Sequence, residues 1–147
     1  MQIVYKVNTA SEENILRHLN HCNNQFVPAL STRVLLDAYA KKLADYAILF
    51  EAWADEKLIG MVAMYLNDHN HGYITNVSVY IEYGGKGVAK QIFANFVEYI
   101  EANNIFEIKL EVSAKNITAI NLYKKFGFES IENKKNQILM SKKAKKI

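Results

Sequence analysis

The stretch Val77–Ala89, VSVYIEYGGKGVA, joins a predicted strand to a predicted helix through a loop rich in glycine. Its first residues alternate between apolar and other side chains, the two-residue period of a half-buried strand. Gly84, Gly85 and Gly87 follow, and glycine allows positive φ and the close approach of a ligand. Apolar residues then recur at helical spacing over residues 88–100. The loop thus presents backbone N–H groups at a helix N-terminus, which favours phosphate, although a plain tight turn has the same pattern.

A second stretch, residues 110–128, reads LEVSAKNITAINLYKKFGF. Neither the P-loop nor the Rossmann glycine spacing fits the first stretch. Together, however, the two stretches resemble the GNAT superfamily of acetyl-CoA-dependent N-acetyltransferases, over about residues 47–140. The glycine loop is similar to that family's cofactor signature, Arg/Gln-x-x-Gly-x-Gly/Ala, and the second stretch is similar to the strand and helix that follow it, with Asn116, Tyr123 and Gly127 in the expected places.

The resemblance implies a cofactor site for acetyl-CoA. Backbone amides of residues 77–79 would hold the pantetheine arm and polarise the thioester carbonyl, and those of residues 85–89 would hold the pyrophosphate. Gly84 stands where the family usually has Arg or Gln, which removes a side-chain contact near the pyrophosphate but keeps the backbone cradle. Lys86 would add charge, unless it is simply solvated. The candidate cofactor-binding residues are Val77, Ser78, Val79, Gly84, Gly85, Lys86, Gly87, Val88, Ala89, Asn116 and Tyr123.

Two residues are candidates for the proton transfers of the reaction. An alkylammonium has a pKa of about 10.4, so an amine acceptor must lose a proton before it attacks a thioester. Within the family, the subgroup that acetylates the N-terminus of a ribosomal protein carries a similar LEV…N…A…LY run, in which the Glu acts as base and the Tyr as acid. Glu111 and Tyr123 match those positions.

Glu111 lies on a predicted strand, on the face opposite Leu110 and Val112, where its carboxylate should be partly shielded from water. Asn116 should cap the helix that follows. Alternatively, Glu111 is a solvated strand residue in a structural salt bridge, and Tyr123 is an aromatic residue of the core. Cys22 is not expected to act as a nucleophile, because the family transfers the acyl group directly in a ternary complex.

The residues that would bind the acceptor amine are predicted only by analogy with the family. By analogy with the family, the first helical pair forms one wall of the acceptor site, and Phe26, Arg33 and Tyr39 are candidate substrate-binding residues. Ordinary packing and solvation account for each of them equally well. The acceptor would be a small amine, an amino sugar or a peptide N-terminus.

The expected fold is α/β (α+β): a mixed, mostly antiparallel sheet of six to seven strands flanked by about four helices. Strands 73–80 and 108–113 are joined by a helix and should be parallel neighbours. The resemblance implies that these two strands splay apart and admit the pantetheine arm, and that the last hairpin pairs two subunits into a homodimer. Near the N-terminus, Thr9 and Glu12 have the spacing of a capping box.

Composition limits the other function classes. A chain of 147 residues with net charge +3 is one domain's worth, and we treat residues 1–147 as a single domain. The single cysteine fits a reducing cytoplasm, and no apolar run is long enough to span a membrane. The histidines near Cys22 and the pair His69 and His71 lack the partners of a zinc site, so no metal is expected.

Three functions remain open at this level. The first is an active N-acetyltransferase. The second is a catalytically silent acyl-CoA sensor of the same fold, for which Gly84 is the argument. The third is a nucleic-acid or membrane-surface protein that uses the basic segment 142–147, which a frayed terminus explains more simply. We therefore expect neither nucleic acid nor membrane as a partner.

Overall fold

The computed structural model describes residues 2–144. Within this range the chain forms seven strands, four α-helices and three short 3₁₀ turns. The elements follow each other as β1 (Val4–Val7), α1 (Glu12–Cys22), α2 (Leu36–Tyr46), β2 (Ile48–Ala54), β3 (Lys57–Leu66), β4 (His71–Val79), α3 (Val88–Ala102), β5 (Glu107–Ser113), α4 (Ile117–Lys125), β6 (Glu129–Lys134) and β7 (Gln137–Lys143).

All seven strands belong to one sheet with the order β1-β2-β3-β4-β5-β7-β6. Only the β4–β5 pair is parallel, because α3 carries the chain back across the sheet between these strands. Every other neighbouring pair is antiparallel. The predicted α/β fold with a mixed, mostly antiparallel sheet and four helices is therefore confirmed.

Two apolar cores lie on the two faces of the sheet. The α3–α4 core contains large aromatic side chains, among them Phe50, Phe93 and Phe128. The α1–α2 core is aliphatic and includes Leu19 and Leu43. The sheet is thus covered by a helical pair on each side, as the hydrophobic period of the helices predicts.

Gly60 allows the α3–α4 core to close against β3. A Cβ at this position would lie 3.0 Å from Ile92 Cδ1 and 3.2 Å from Val88 Cγ1. Gly60 also lies opposite Ala52, where the β2–β3 register shifts. The close approach lets the first turn of α3 pack directly on the sheet, and this turn carries the glycine loop.

The capping box predicted for α1 is wrong in its position. Ser11 is the N-cap: its Oγ accepts from the Asn14 N–H at 3.1 Å, and the Asn14 side chain accepts from the Ser11 N–H at 2.9 Å. Thr9 instead donates its hydroxyl to Glu51 at 2.5 Å. Thr9 is bonded to the buried Glu51 carboxylate on β2 and does not cap the helix. Local spacing does not reveal such a long-range contact.

The basic segment predicted to be frayed begins inside the sheet. Lys142 and Lys143 belong to β7 and pair with Ile108 and Glu107 of β5, so the prediction is wrong for these two residues. Residues 145–147 lie outside the described residues. None of the helices formed by residues 2–144 combines the length and apolar composition that a membrane span requires.

Candidate active site

A gap opens in the sheet between β4 and β5. The two strands pair only from His71 with Glu107 to Ile74 with Leu110. Thr75 then interrupts the β3–β4 register, because Ile74 pairs with Met64 while Asn76 pairs with the preceding residue, Ala63. Such a bulge bends its strand. The splay that the resemblance implies is therefore present.

The edge of β4 that faces the gap is not paired with β5 beyond Ile74. The Tyr80 N–H donates to the Ile59 carbonyl of β3 at 2.8 Å, so the N–H and C=O of Val79, one residue earlier, point the opposite way. The Gln25 side chain reaches this edge from the loop after α1. Its amide group donates to the Val79 carbonyl at 2.8 Å, and its oxygen accepts from the Ile81 N–H at 3.1 Å. The Gln25 side-chain amide thus makes hydrogen bonds of the kind that a neighbouring strand would make. This indicates that the edge can pair with an extended amide.

The glycine loop closes one end of the gap. Gly85 and Gly87 have φ of 74° and 77°, and a Cβ at either position would meet nothing within 4 Å. Gly87 is the N-cap of α3 and offers no side chain to its amides. Gly84 has an ordinary φ of −63°. An open, left-handed loop at a helix N-terminus is chemically suited to a pyrophosphate, so the residues present fit coenzyme A at this point.

Four further cofactor candidates border the loop and α4. Lys86 extends its ammonium over the Tyr83 ring, 5.5 Å from the ring centroid. Val88 is buried and Ala89 half-buried, so in these residues only the backbone is free for an anion. Asn116 caps α4 as predicted, with its side-chain oxygen accepting from the Ala119 N–H at 3.1 Å.

Tyr123 lies in the α3–α4 core. Its ring contacts Phe93 at 5.5 Å and Phe128 at 6.1 Å between centroids, and its side chain is buried. Burial raises the pKa of Tyr123 to about 12. Tyr123 is thus a core aromatic residue whose hydroxyl stays protonated at neutral pH, and its role as the acid stays a prediction.

Glu111 lies on the opposite face of the sheet from Tyr123. It alternates with Leu110 and Val112, which enter the α3–α4 core, as the sequence predicts. Its side chain is 35% exposed and lies 3.8 Å from Lys134 Nζ, so the expected partial shielding from water is modest. Burial and then the Glu111 charge raise the pKa of Tyr73 on the neighbouring strand.

The substrate candidates occupy different positions. Tyr39 of α2 is half-buried on the same face as Glu111, and its Oη lies 2.8 Å from Thr75 Oγ1 at the bulge. Phe26 packs between the two cores. Arg33 is exposed. Burial raises the pKa of Tyr39, and the positive charge of Arg33 partly offsets that rise.

Two tyrosines that sequence reasoning missed lie on this face. Tyr65 and Tyr73 pair directly across β3 and β4. The Tyr65 hydroxyl is buried without a hydrogen-bond partner within residues 2–144, and burial raises its pKa to about 12. The alternation of side chains along each strand places both tyrosines on this face, and this alternation is the sequence signal that could have identified them.

A row of buried, hydrogen-bonded polar side chains connects β4 to α1 next to the gap. The fully buried His18 contacts the Leu58 carbonyl through Nδ1 at 2.9 Å and Ser78 Oγ through Nε2 at 2.8 Å. Burial lowers the pKa of His18 to about 4. The ring is therefore neutral at pH 7, donates to the carbonyl through Nδ1–H and accepts the Ser78 hydroxyl at Nε2.

The same hydroxyl cannot also donate to Asn76. Asn76 Oδ1 is placed 2.8 Å from Ser78 Oγ, and a hydroxyl has one hydrogen. Turning the Asn76 amide by half a rotation lets its NH₂ donate to Ser78, since the oxygen and nitrogen of an amide are assigned from their hydrogen bonds. We adopt that orientation, which satisfies all three side chains.

No group of three or more potential metal ligands occurs among the residues that the structure describes. His18 is committed to Leu58 and Ser78, and His21 lies 2.9 Å from Glu82 Oε2. His71 Nδ1 is 3.7 Å from a Glu107 oxygen, whereas His69 lies in the exposed β3–β4 loop.

A sheet split between two parallel strands, with a glycine loop at one end, defines a class of coenzyme A-dependent acyltransferases. The sequence model of the acetyltransferase (GNAT) family matches residues 13–128. The chain therefore belongs to the GNAT acetyltransferase family, whose members move an acyl group from coenzyme A to an amine.

Several known proteins are similar to the chain. An uncharacterised N-acetyltransferase of Bacillus subtilis, YsnE, is 31% identical over 112 residues, 70% of this chain and 74% of that protein. Another B. subtilis protein, provisionally named ribosomal protein bS18-alanine N-acetyltransferase, is 35% identical over 63 residues, 43% of this chain and 42% of that protein.

Solved structures have the same fold. PaiA N-acetyltransferase from Thermoplasma acidophilum, in complex with coenzyme A, matches with a TM-score of 0.77 at 18% identity, over 97% of this chain and 99% of that one. The ribosomal-protein-S18-alanine N-acetyltransferase from Escherichia coli matches with a TM-score of 0.76 at 15% identity, over 98% of this chain and 96% of that one.

We predict that protonation of His18 destabilises the protein in acid. The folded-state pKa of about 4 lies below the ordinary value of 6.5, so between these pH values only the unfolded chain takes up the proton. The free energy of unfolding should be constant with respect to His18 above pH 6.5 and fall by about 3 kcal/mol as the pH drops to 4. Urea unfolding at several pH values measures this. His18→Gln should flatten the decline, whereas His69→Gln should keep it; an unchanged decline in His18→Gln would contradict the assignment.

Proposed function

We propose that the protein transfers an acetyl group from acetyl-CoA to the primary amine of a small molecule, an amino sugar or a peptide N-terminus, directly in a ternary complex. The observation that carries the proposal is the gap between β4 and β5, which has unpaired strand backbone along one side and the open glycine loop at its end. The name of one relative, which specifies an alanine of a ribosomal protein, supports the peptide among these acceptors.

In the proposed complex, acetyl-CoA supplies an acetyl thioester that is activated toward amines. The backbone groups of Val77 and the Val79 N–H would pair with the amides of the pantetheine arm, since the Gln25 amide already occupies the Val79 carbonyl. The N–H groups of residues 85–89 hold the pyrophosphate. The remaining contacts come from Ser78 through its backbone, from the Asn116 side chain at the start of α4 and from Lys86.

Glu111 is the proposed base. An amine that enters between the helical wall of Tyr39 and the face of Tyr73 approaches the thioester from the Glu111 side of the sheet. As the new N–C bond forms, the amine proton passes to the Glu111 carboxylate, directly or through water. The partial exposure of Glu111 then allows the proton to leave to solvent. Phe26 and Arg33 are proposed to shape the entrance for the acceptor.

Tyr123 is the proposed acid on the other face. When the C–S bond breaks, the sulfur of coenzyme A takes the proton of the Tyr123 hydroxyl. With a pKa of about 12, Tyr123 is too weak an acid for a solvated thiolate, whose acid has a pKa of about 8.5. Burial affects thiols in the same way, and it raises the pKa of the Cys22 thiol in this protein to about 12. Shielding from water would likewise raise the pKa of the departing thiol, which would favour proton transfer from Tyr123.

The alternative function is an acyl-CoA sensor that binds without turnover. Two features favour it: Gly84 offers no side chain to the pyrophosphate, and Glu111 is paired with Lys134 rather than free. The two functions share the binding site and differ only in turnover, so kinetic measurements separate them.

The single domain over residues 1–147, the cytoplasmic location and the homodimer remain predictions. For the dimer, the exposed edge strand β6 offers unpaired backbone on the outer side of the last hairpin. Its expected partner is a second copy of the chain.

Titration with acetyl-CoA tests the binding site. A ligand at 100 times its dissociation constant should raise the free energy of unfolding by about 2.7 kcal/mol, and ATP at the same concentration should not. Gly87→Val should abolish this shift, because a β-branched residue is strained at a φ of 77°. Ser130→Val, on the exposed strand β6, is the matched control and should respond as the wild type does. Binding by Gly87→Val with unchanged affinity would place the phosphate elsewhere.

Removal of the Tyr123 hydroxyl tests the acid. Tyr123→Phe should keep acetyl-CoA affinity within a few-fold and lower kcat by roughly 10²-fold or more, because the released thiolate loses its proton donor. Turnover is measured as free thiol released in the presence of the best acceptor from a screen of amino sugars and short peptides. Tyr99→Phe removes a hydroxyl from the same core and should leave kcat unchanged. Equal rates for both variants would remove Tyr123 from the mechanism.

The pH–rate profile tests the base. Glu111→Gln should lower kcat and flatten the acidic limb of the profile, because Gln cannot accept the amine proton. Glu132→Gln, an exposed carboxylate on β6, should leave the limb intact. An intact acidic limb in Glu111→Gln would mean that another group accepts the proton.

A further inference from the structure

The Gln25 side chain occupies part of the free edge of β4. Its NH₂ group donates to the Val79 carbonyl at 2.8 Å, and its oxygen accepts from the Ile81 N–H at 3.1 Å. An amide that bonds one carbonyl and the N–H two residues further on makes the contacts of a peptide group in a neighbouring strand. We call the Val79 carbonyl and the Ile81 N–H the outer amide slot.

An equivalent pair of backbone groups lies two residues earlier on β4. Because the direction of the backbone groups alternates along a strand, the Val77 carbonyl and the Val79 N–H point to the same edge as the outer amide slot. We call this pair the inner amide slot. The two slots are about 7 Å apart along the strand. Since β5 pairs with β4 only as far as Ile74, the edge offers two consecutive positions for an amide, and Gln25 fills one of them.

The outer amide slot lies on the path of the cofactor arm in the proposed function. There the pyrophosphate is bound by residues 85–89, and the pantetheine arm reaches back along β4 to Val77. Residues 79–81 lie between these two points, so an arm that follows the edge meets the Gln25 side chain. The arm carries two amides joined by a short alkyl link, which suits two consecutive amide slots.

We propose that Gln25 is a placeholder, which fills the outer amide slot in the free protein and is displaced by the pantetheine arm when coenzyme A binds. The inference rests on the proposed function, which assigns the arm to the edge of β4. On binding, an amide of the arm takes over the Val79 carbonyl and the Ile81 N–H, and the Gln25 side chain turns into solvent. The exchange replaces two hydrogen bonds with two of the same kind.

The surroundings of Gln25 allow its side chain to move while its backbone stays in place. The Asn23 side chain donates to Ser31 Oγ at 3.0 Å and accepts from the Ser31 N–H at 2.7 Å, which closes the loop after α1. Phe26 packs against both cores. Gln25 itself is exposed, so only its side-chain torsions have to change. In the free protein the placeholder covers an edge that would otherwise be open to pairing with another chain.

Calorimetric titration with coenzyme A tests the proposal. Gln25→Ala should bind coenzyme A about five-fold more tightly than the wild type, because the arm no longer has to break the two hydrogen bonds of the Gln25 amide. Asn24→Ala changes the exposed neighbour in the same 3₁₀ turn and should bind as the wild type does. A purely structural role of Gln25 predicts the opposite sign, which is weaker binding by Gln25→Ala.

Nuclear magnetic resonance follows the displacement directly. The side-chain NH₂ signals of Gln25 are identified by their absence from the spectrum of Gln25→Ala, which also shows that this variant is folded. Saturation of the wild type with coenzyme A should move these signals to the positions typical of a solvent-exposed glutamine. Gln137, which is exposed on β7, provides that reference in the same spectrum.

The outcomes are distinguishable. Equal or weaker binding by Gln25→Ala, or Gln25 signals that stay in place in the saturated wild type, overturns the placeholder while leaving the proposed function intact. Tighter binding by Asn24→Ala as well would show a general loosening of the turn and would also overturn it. If neither the wild type nor Gln25→Ala binds coenzyme A, the proposed function fails and the placeholder fails with it.

Discussion

The hydrogen-bonding capacity that β4 leaves unused beyond Ile74 is the constraint on which the rest of the structure depends. An extended strand with one free edge is normally paired, covered or bent. Here β4 stays extended because β3 pairs with its other edge and because His18 binds Ser78 from below. The bulge at Thr75 separates it from β5, so the free edge faces a gap within the sheet. In the proposed function, a cofactor arm with two amides occupies this edge.

Polar groups hold the wall opposite this gap in place. The buried Glu51 carboxylate accepts the backbone N–H groups of Thr9 and Ala10 at 2.9 and 3.0 Å and thereby fixes the start of α1. His18 fixes its middle, and Gln25 fixes the loop that follows. Hydrogen bonds specify geometry more narrowly than apolar contacts do, so the wall is held at a set distance from β4. In the proposed function, this fixed wall forms one side of the path by which the acceptor reaches the strands.

Sequence reasoning predicted the elements and their order because apolar periodicity and the positions of glycines in turns are local signals. The glycine loop, the Asn116 cap and the alternation around Glu111 are of this kind, and each is present. The gap itself followed only from resemblance, since nothing local distinguishes a splayed strand from a paired one. Contacts between distant residues were missed for the same reason: Thr9 with Glu51 and His18 with Ser78 depend on tertiary packing between elements far apart in the sequence. The site's backbone was thus predictable, whereas its buried side-chain partners were not.

The two faces of the gap differ in solvation, and the proposed mechanism depends on that difference. Glu111 is partly exposed, so a proton taken from the amine is returned to water without passing through the protein. Tyr123 is buried, and the same burial that raises its pKa to about 12 makes its anion a strong base. Once coenzyme A leaves with the transferred proton, the tyrosinate recovers a proton from water readily at neutral pH. In the proposed mechanism each residue would thus be reset by its own environment, with the departing sulfur and the entering amine on opposite faces of the sheet.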